Sequence, residues 1–152
     1  MQEPTVRLMA SESLALARAG RVDKRLGELP PDALADLAEA ARLGGDPELA
    51  VRALTALLRR FPGAPEAREV KFLLGRVQVL RGDAGAAVAA FESYLGDGRS
   101  ALYTNEALGR LMEIYSTRGD TQAAQGIARR YLARAPNGPY RRLADSLLTP
   151  RQ

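Results

Sequence analysis

The chain has 152 residues, enough for one domain of ordinary size, and 46% of them are apolar, so a core is within reach. It contains no cysteine and no histidine, which excludes disulfides, thiolate catalysis, Cys-based zinc sites and every Ser-His triad. The formal charge is +4, almost all of it arginine. Acids are interspersed throughout and basic runs such as Arg59-Arg60, Arg129-Arg130 and Arg141-Arg142 are only doublets, so the charge reads as a solvated surface of mixed sign.

Residues 1–10 carry Glu3 early and lack the apolar core of a signal peptide. No apolar stretch approaches the ~18–20 residues of a membrane span. Residues 5–19 (Val6, Leu8, Met9, Leu14, Leu16) predict a helix that Gly20 stops. A connector with Pro30 and Pro31 completes an N-terminal region over 1–30.

A repeat then begins. Gly45-Asp46, Gly82-Asp83 and Gly119-Asp120 stand 37 residues apart both times, each followed four residues later by an alanine (Ala50, Ala87, Ala124). A fixed period of this size marks a tandem array of one supersecondary unit. Copies laid at 31–67, 68–104 and 105–141 align Leu37, Leu74 and Leu111, then Leu54, Phe91 and Ala128. They also align Leu57-Leu58, Tyr94-Leu95 and Tyr131-Leu132.

Within a copy the apolar residues recur at three and four, as in Val70, Leu73, Leu74, Val77 and Leu80, which is helical spacing. Each copy is therefore a pair of helices with Gly-Asp at the corner. The glycine supplies the positive φ that ends the first helix, and the Asp caps the second. The links Phe61-Pro62-Gly63-Ala64-Pro65 and Ala135-Pro136-Asn137-Gly138-Pro139 restart the pattern, with Pro65 near an N1 position. Tyr140, Leu143, Ala144, Leu147 and Leu148 form a capping helix over 139–148, whose polar face (Arg141, Arg142, Asp145) suits a terminal element. The columns Leu74, Ala87, Phe91, Leu111, Tyr115 and Ala124 are the expected core. In all, eight helices and no strand are expected.

The column order of Leu, small, aromatic, Gly-Asp, Ala, Phe, aromatic-Leu and Pro resembles the tetratricopeptide repeat. The third copy shows it best, with Leu108, Leu111, Tyr115, Gly119, Asp120, Ala124 and Pro136. The first departs from it with Ala41 and Leu54. The standard repeat is 34 residues, and the three extra residues here fall in the links. The link wording is similar to the bacterial envelope-associated branch: BamD-type assembly lipoproteins, Tol-Pal coordinators and the C-terminal repeats of FecR-like anti-sigma regulators. The FecR domain, its membrane helix and the sigma-binding zinc finger have no counterpart in this sequence.

The resemblance implies an all-α, right-handed α-solenoid of three hairpins over 31–148. It implies a non-catalytic scaffold that holds a partner protein or peptide in a groove lined by first helices. The groove positions map onto Asp32, Ala35, Glu39, Arg42 and Leu43 in the first copy. They map onto Glu69, Phe72, Arg76, Val79 and Leu80 in the second, and onto Glu106, Gly109, Glu113, Ser116 and Thr117 in the third. Such a groove has an apolar middle, acidic walls and two arginines, and suits a segment with basic and apolar side chains. The Lys/Asn clamp of carboxylate-gripping relatives is missing at the matching positions.

No Walker A, Gly-x-Ser-x-Gly or dinucleotide fingerprint is present. No cofactor, metal or enzymatic activity is expected. A basic module for nucleic acid or anionic surfaces is the alternative, disfavoured because the aromatics fall in core columns. The compartment follows from context: periplasm behind a membrane span, cytoplasm if Met1 is the true start.

Overall fold

The computed structural model describes residues 18–96 and 101–149. Among these residues there are eight helices and no strand. They are α1 (18–28), α2 (Pro31–Leu43), α3 (Pro47–Arg60), α4 (Ala67–Arg81), α5 (Ala84–Leu95), α6 (Thr104–Thr117), α7 (Thr121–Arg134) and α8 (Arg141–Leu148). Two compact units part between Pro62 and Gly63.

The first unit contains the α2–α3 hairpin, closed on buried Leu34, Ala38, Ala41, Ala50, Ala53, Leu54 and Leu57. Against expectation, α1 runs straight through Gly20 and continues to residue 28; the expected helical stretch 5–17 lies outside the described residues. A glycine inside a helix costs only about 1 kcal/mol, and tertiary contacts outweigh it. Leu26 is buried, Arg52 Nη2 donates to the Ala19 carbonyl (2.9 Å), and Arg52 pairs with Asp23. The helix stops instead ahead of Pro30, which lacks the N–H to continue it. Its last carbonyls are met by one side chain: Arg60 Nη1 donates to the oxygens of Leu26 (2.7 Å) and Leu29 (2.6 Å).

All three Gly-Asp corners have the predicted chemistry. Gly45, Gly82 and Gly119 hold φ of 78°, 82° and 73°. The next N–H in each corner returns to the first helix: Asp46 to Ala41 O, Asp83 to Gln78 O and Asp120 to Tyr115 O, at 2.8–2.9 Å. This is the six-to-one bond of a Schellman ending. Each aspartate Oδ1 then accepts from the N–H three residues on, Leu49, Ala86 and Ala123, at 2.9–3.1 Å. One dipeptide thus satisfies orphan groups of two helices.

In the second unit, α4–α5 and α6–α7 are hairpins and α8 packs on α7. The alanine column is sealed: Ala87 and Ala124 are fully buried, as Ala50 is in the first unit. Leu74 and Tyr115, expected in the core, are only half-buried. Volume is traded between facing columns. Gly75 lies against the Phe91 ring, where an added Cβ would sit 2.6 Å from the nearest ring atom. The same two columns hold Ala38 and Leu54 in the first copy, and Met112 and Ala128 in the third, all buried. Large faces small each time, as close packing requires.

The links repeat a second device. The Tyr94 hydroxyl accepts from the Tyr103 N–H (2.9 Å), and 37 residues later Tyr131 accepts from the Tyr140 N–H (3.0 Å). Each ties the end of a second helix to the start of the next first helix. Pro65 and Pro139 fall in the turns before α4 and α8, not at N1 positions.

Candidate partner-binding surface

An α-helix turns 100° per residue, so positions spaced four and three share one line. On α4 that row is Glu69, Leu73, Arg76 and Leu80; 37 residues on, α6 presents Glu106, Arg110, Glu113 and Thr117. On α2, in the first unit, the matching row is Asp32, Asp36, Glu39 and Leu43.

The expected surface residues divide into three groups. Glu69, Arg76, Val79 and Leu80 are exposed on α4, with Leu80 64% and Val79 41% accessible. Leu43, at the position equivalent to Leu80, is 71% accessible. An exposed leucine therefore recurs at the last turn of the first helix in two copies. Thr117 and Ser116 are exposed at the third.

The second group is charged and already paired. Arg42 holds Glu39 through two bonds, Nε–Oε2 at 2.8 Å and Nη2–Oε1 at 2.6 Å, and this partner raises the Arg42 pKa further. Arg110 lies between Glu106 (Nε–Oε1, 3.0 Å) and Glu113 (Nη1–Oε2, 3.3 Å). The Tyr140 hydroxyl donates to the same Glu106 Oε1 at 3.1 Å. Burial, then the Glu106 charge, pushes the Tyr140 hydroxyl up to about 12. The acidic wall expected on α6 is thus a paired row in which one arginine offsets half of the charge of two glutamates. Arg110 was not among the expected residues, although its i, i+4 and i, i+3 spacing from two glutamates carried the signal.

The third group is not surface at all. Phe72 is 1% accessible, stacked on Tyr103 with centroids 4.4 Å apart and planes within 5°, and tilted against Phe91 and Tyr94. At 100° per residue it lies about 60° off the line through Glu69, and that turn carries it into the core. Its counterpart Gly109 is buried beneath the Tyr140 ring, which occupies the space a side chain would need. These two positions correct the expected apolar middle: Val79 and Leu80 supply it without Phe72.

Among the described residues, two open recesses gather no cluster of reactive groups. An open recess of about 670 Å³ between the α6–α7 corner and α8 is lined by Ser116, Thr117, Thr121, Gln125 and Leu147, without a carboxylate. A recess of about 500 Å³ beside α1 and α3 contains Asp23, already paired with Arg52. Among the described residues, no group of three His, Cys, Asp or Glu could hold a metal, and no helix is long and apolar enough to cross a membrane.

The class defined by these features is a helical-hairpin repeat protein built on Gly-Asp corners. Residues 32–64, covering α2, α3 and the start of the following turn, match the family model described as Tetratricopeptide repeat. The match supports a tetratricopeptide-type relationship, and it falls on the copy that departs most from the expected wording. No curated protein matches the chain.

Proposed function

We propose that the chain is a non-catalytic scaffold that holds a partner protein or peptide on the exposed rows of its first helices. Tetratricopeptide repeats generally mediate protein–protein interactions, and the family match supports that role. The carrying observation is the recurring exposed leucine, Leu43 on α2 and Leu80 on α4; one turn back in its row stands Glu39, bonded to Arg42, in the first copy and Arg76 in the second. An exposed apolar side chain at a repeated position favours a segment that presents an apolar side chain of its own. The rigid hairpin spares that segment part of its ordering cost. The link wording adds the finer reading of a regulatory or envelope-assembly module of bacterial type.

The test is a displayed peptide library selected on the intact chain, with binders re-measured on Val79→Glu/Leu80→Glu. Binders are expected to lose affinity about tenfold or more, since a buried apolar anchor is replaced by a charge. The circular dichroism spectrum should stay unchanged, because both side chains are exposed. Binders indifferent to this pair and to Leu43→Glu would overturn the reading.

A further inference from the structure

The charge is not spread evenly. From Arg118 to Gln152 there are seven arginines and two aspartates, a net +5, while the whole chain carries +4. The preceding 117 residues therefore sum to −1. Several arginines elsewhere pair with acids: Arg42 has Glu39, Arg52 has Asp23, and Arg110 has Glu106 and Glu113. In α7 that matching fails, because Thr121–Arg134 contains no acid. Arg129, Arg130 and, in the first turn of α8, Arg142 are exposed and make no hydrogen bond or ion pair among the described residues.

The exposed face of α7 also has a shape. Gly126 and Ala133 lie near one line, and a Cβ added at Gly126 would meet nothing within 4 Å. Arg129 lies about 60° to one side of Gly126 and Arg130 about 40° to the other. The opposite face, Ala124, Ala128 and Tyr131, is fully buried. The Tyr131–Tyr140 bond ties the start of α8 to that buried side of α7.

We infer that this face of α7 is a second docking surface, and that its occupant is an acidic segment of a partner protein. It lies on a second helix, apart from the first-helix rows, and does not depend on them. A guanidinium donates two parallel hydrogen bonds to a carboxylate, a planar fork that a lysine cannot offer. The low floor at Gly126 and Ala133 lets a backbone approach between the two arginines. A membrane is the poorer occupant: among the described residues the exposed large apolar side chains are Leu43, Val79, Leu80 and Leu102, none of them on α7 or α8, so no anchor on these helices accompanies a few arginines. Nucleic acid is poorer too, because the local aromatic ring, Tyr131, is fully buried and cannot stack on a base.

The experiment uses the full chain and a fluorescent polyglutamate peptide of about twenty residues, read by anisotropy at low salt. Arg129→Glu/Arg130→Glu should weaken binding by about tenfold or more. Arg21→Glu/Arg25→Glu, the same charge change on exposed α1 positions, should leave it within about twofold. Equal losses in the two variants would overturn the proposal, since binding would then follow net charge alone. So would duplex DNA, or phosphatidylcholine vesicles carrying phosphatidylserine, binding more tightly than the peptide and losing that binding in Arg129→Glu/Arg130→Glu. Circular dichroism checks both folds; if the glutamate pair does not fold, Arg129→Gln/Arg130→Gln replaces it with the same expectation.

Discussion

A few side chains carry two duties at once, and tyrosine does so most often. Tyr131 fills the core and its hydroxyl accepts the Tyr140 N–H; Tyr140 packs edge-on against it (5.8 Å, 83°) and donates to Glu106. Tyr115 donates to Glu92 Oε1 at 2.5 Å, and burial, then this carboxylate, pushes its hydroxyl up to about 12. Both phenols thus hold their protons well above the ordinary value of about 10. The folded state binds the proton more tightly than the unfolded chain. Their contribution is therefore complete below pH ~10 and is lost as pH rises towards 12. Solvent screening reduces its size, since both rings are partly exposed. Denaturant titrations across this window should show stability falling, with a shallower fall in Tyr140→Phe. A variant as steep as the parent would refute the Glu106–Tyr140 coupling.

Among elements, the informative comparison is between equivalent helix pairs. Ala38 and Leu54, Gly75 and Phe91, and Met112 and Ala128 occupy the same two columns with volume moved from one side to the other. Gly75→Ala pushes a methyl into a ring held by Phe72 and should cost about 1–3 kcal/mol. Phe91→Leu leaves a void and should cost a similar amount. Together they recreate the pair found in the first copy, so the double variant should be more stable than the sum of the singles by about 1 kcal/mol or more. Urea unfolding of the four proteins measures this; strict additivity would mean that the two columns do not meet as described. The corner and the column periodicity were legible in the sequence because their causes are local: a positive φ, a cap and a spacing. The length of α1 was not, since Gly20 signals a stop that Arg52 and Arg60, far along the sequence, override together with the burial of Leu26. Phe72 was misplaced for a related reason. Family positions transferred one by one ignore a helical phase error, and one residue of error turns a side chain by about 100°.

For the whole molecule, the sequence gives a charge total but hides its partition until the pairing is seen. Residues up to Pro62 contain nine basic and nine acidic side chains, so the entire +4 belongs to the second unit. Doublets such as Arg129-Arg130 look trivial in a mixed-sign chain. This one stands out because its helix, α7, contains no acid at all. The candidate site was legible to the same degree. Glu69, Arg76, Val79 and Leu80, positions taken from the family resemblance, are exposed, whereas the pairing of Glu106 and Glu113 needed the position of Arg110.

The traded volumes between facing columns also bear on how such a chain can be rearranged. Exchanging a single second helix between copies, α7 for α5, would set Ala128 opposite Gly75 and leave a hole where Phe91 was. The reverse exchange would force Phe91 onto Met112. Moving an intact hairpin keeps each complementary couple together. Chimeras that trade lone helices should melt lower than those that trade hairpins, so the heritable unit of this architecture is the matched pair.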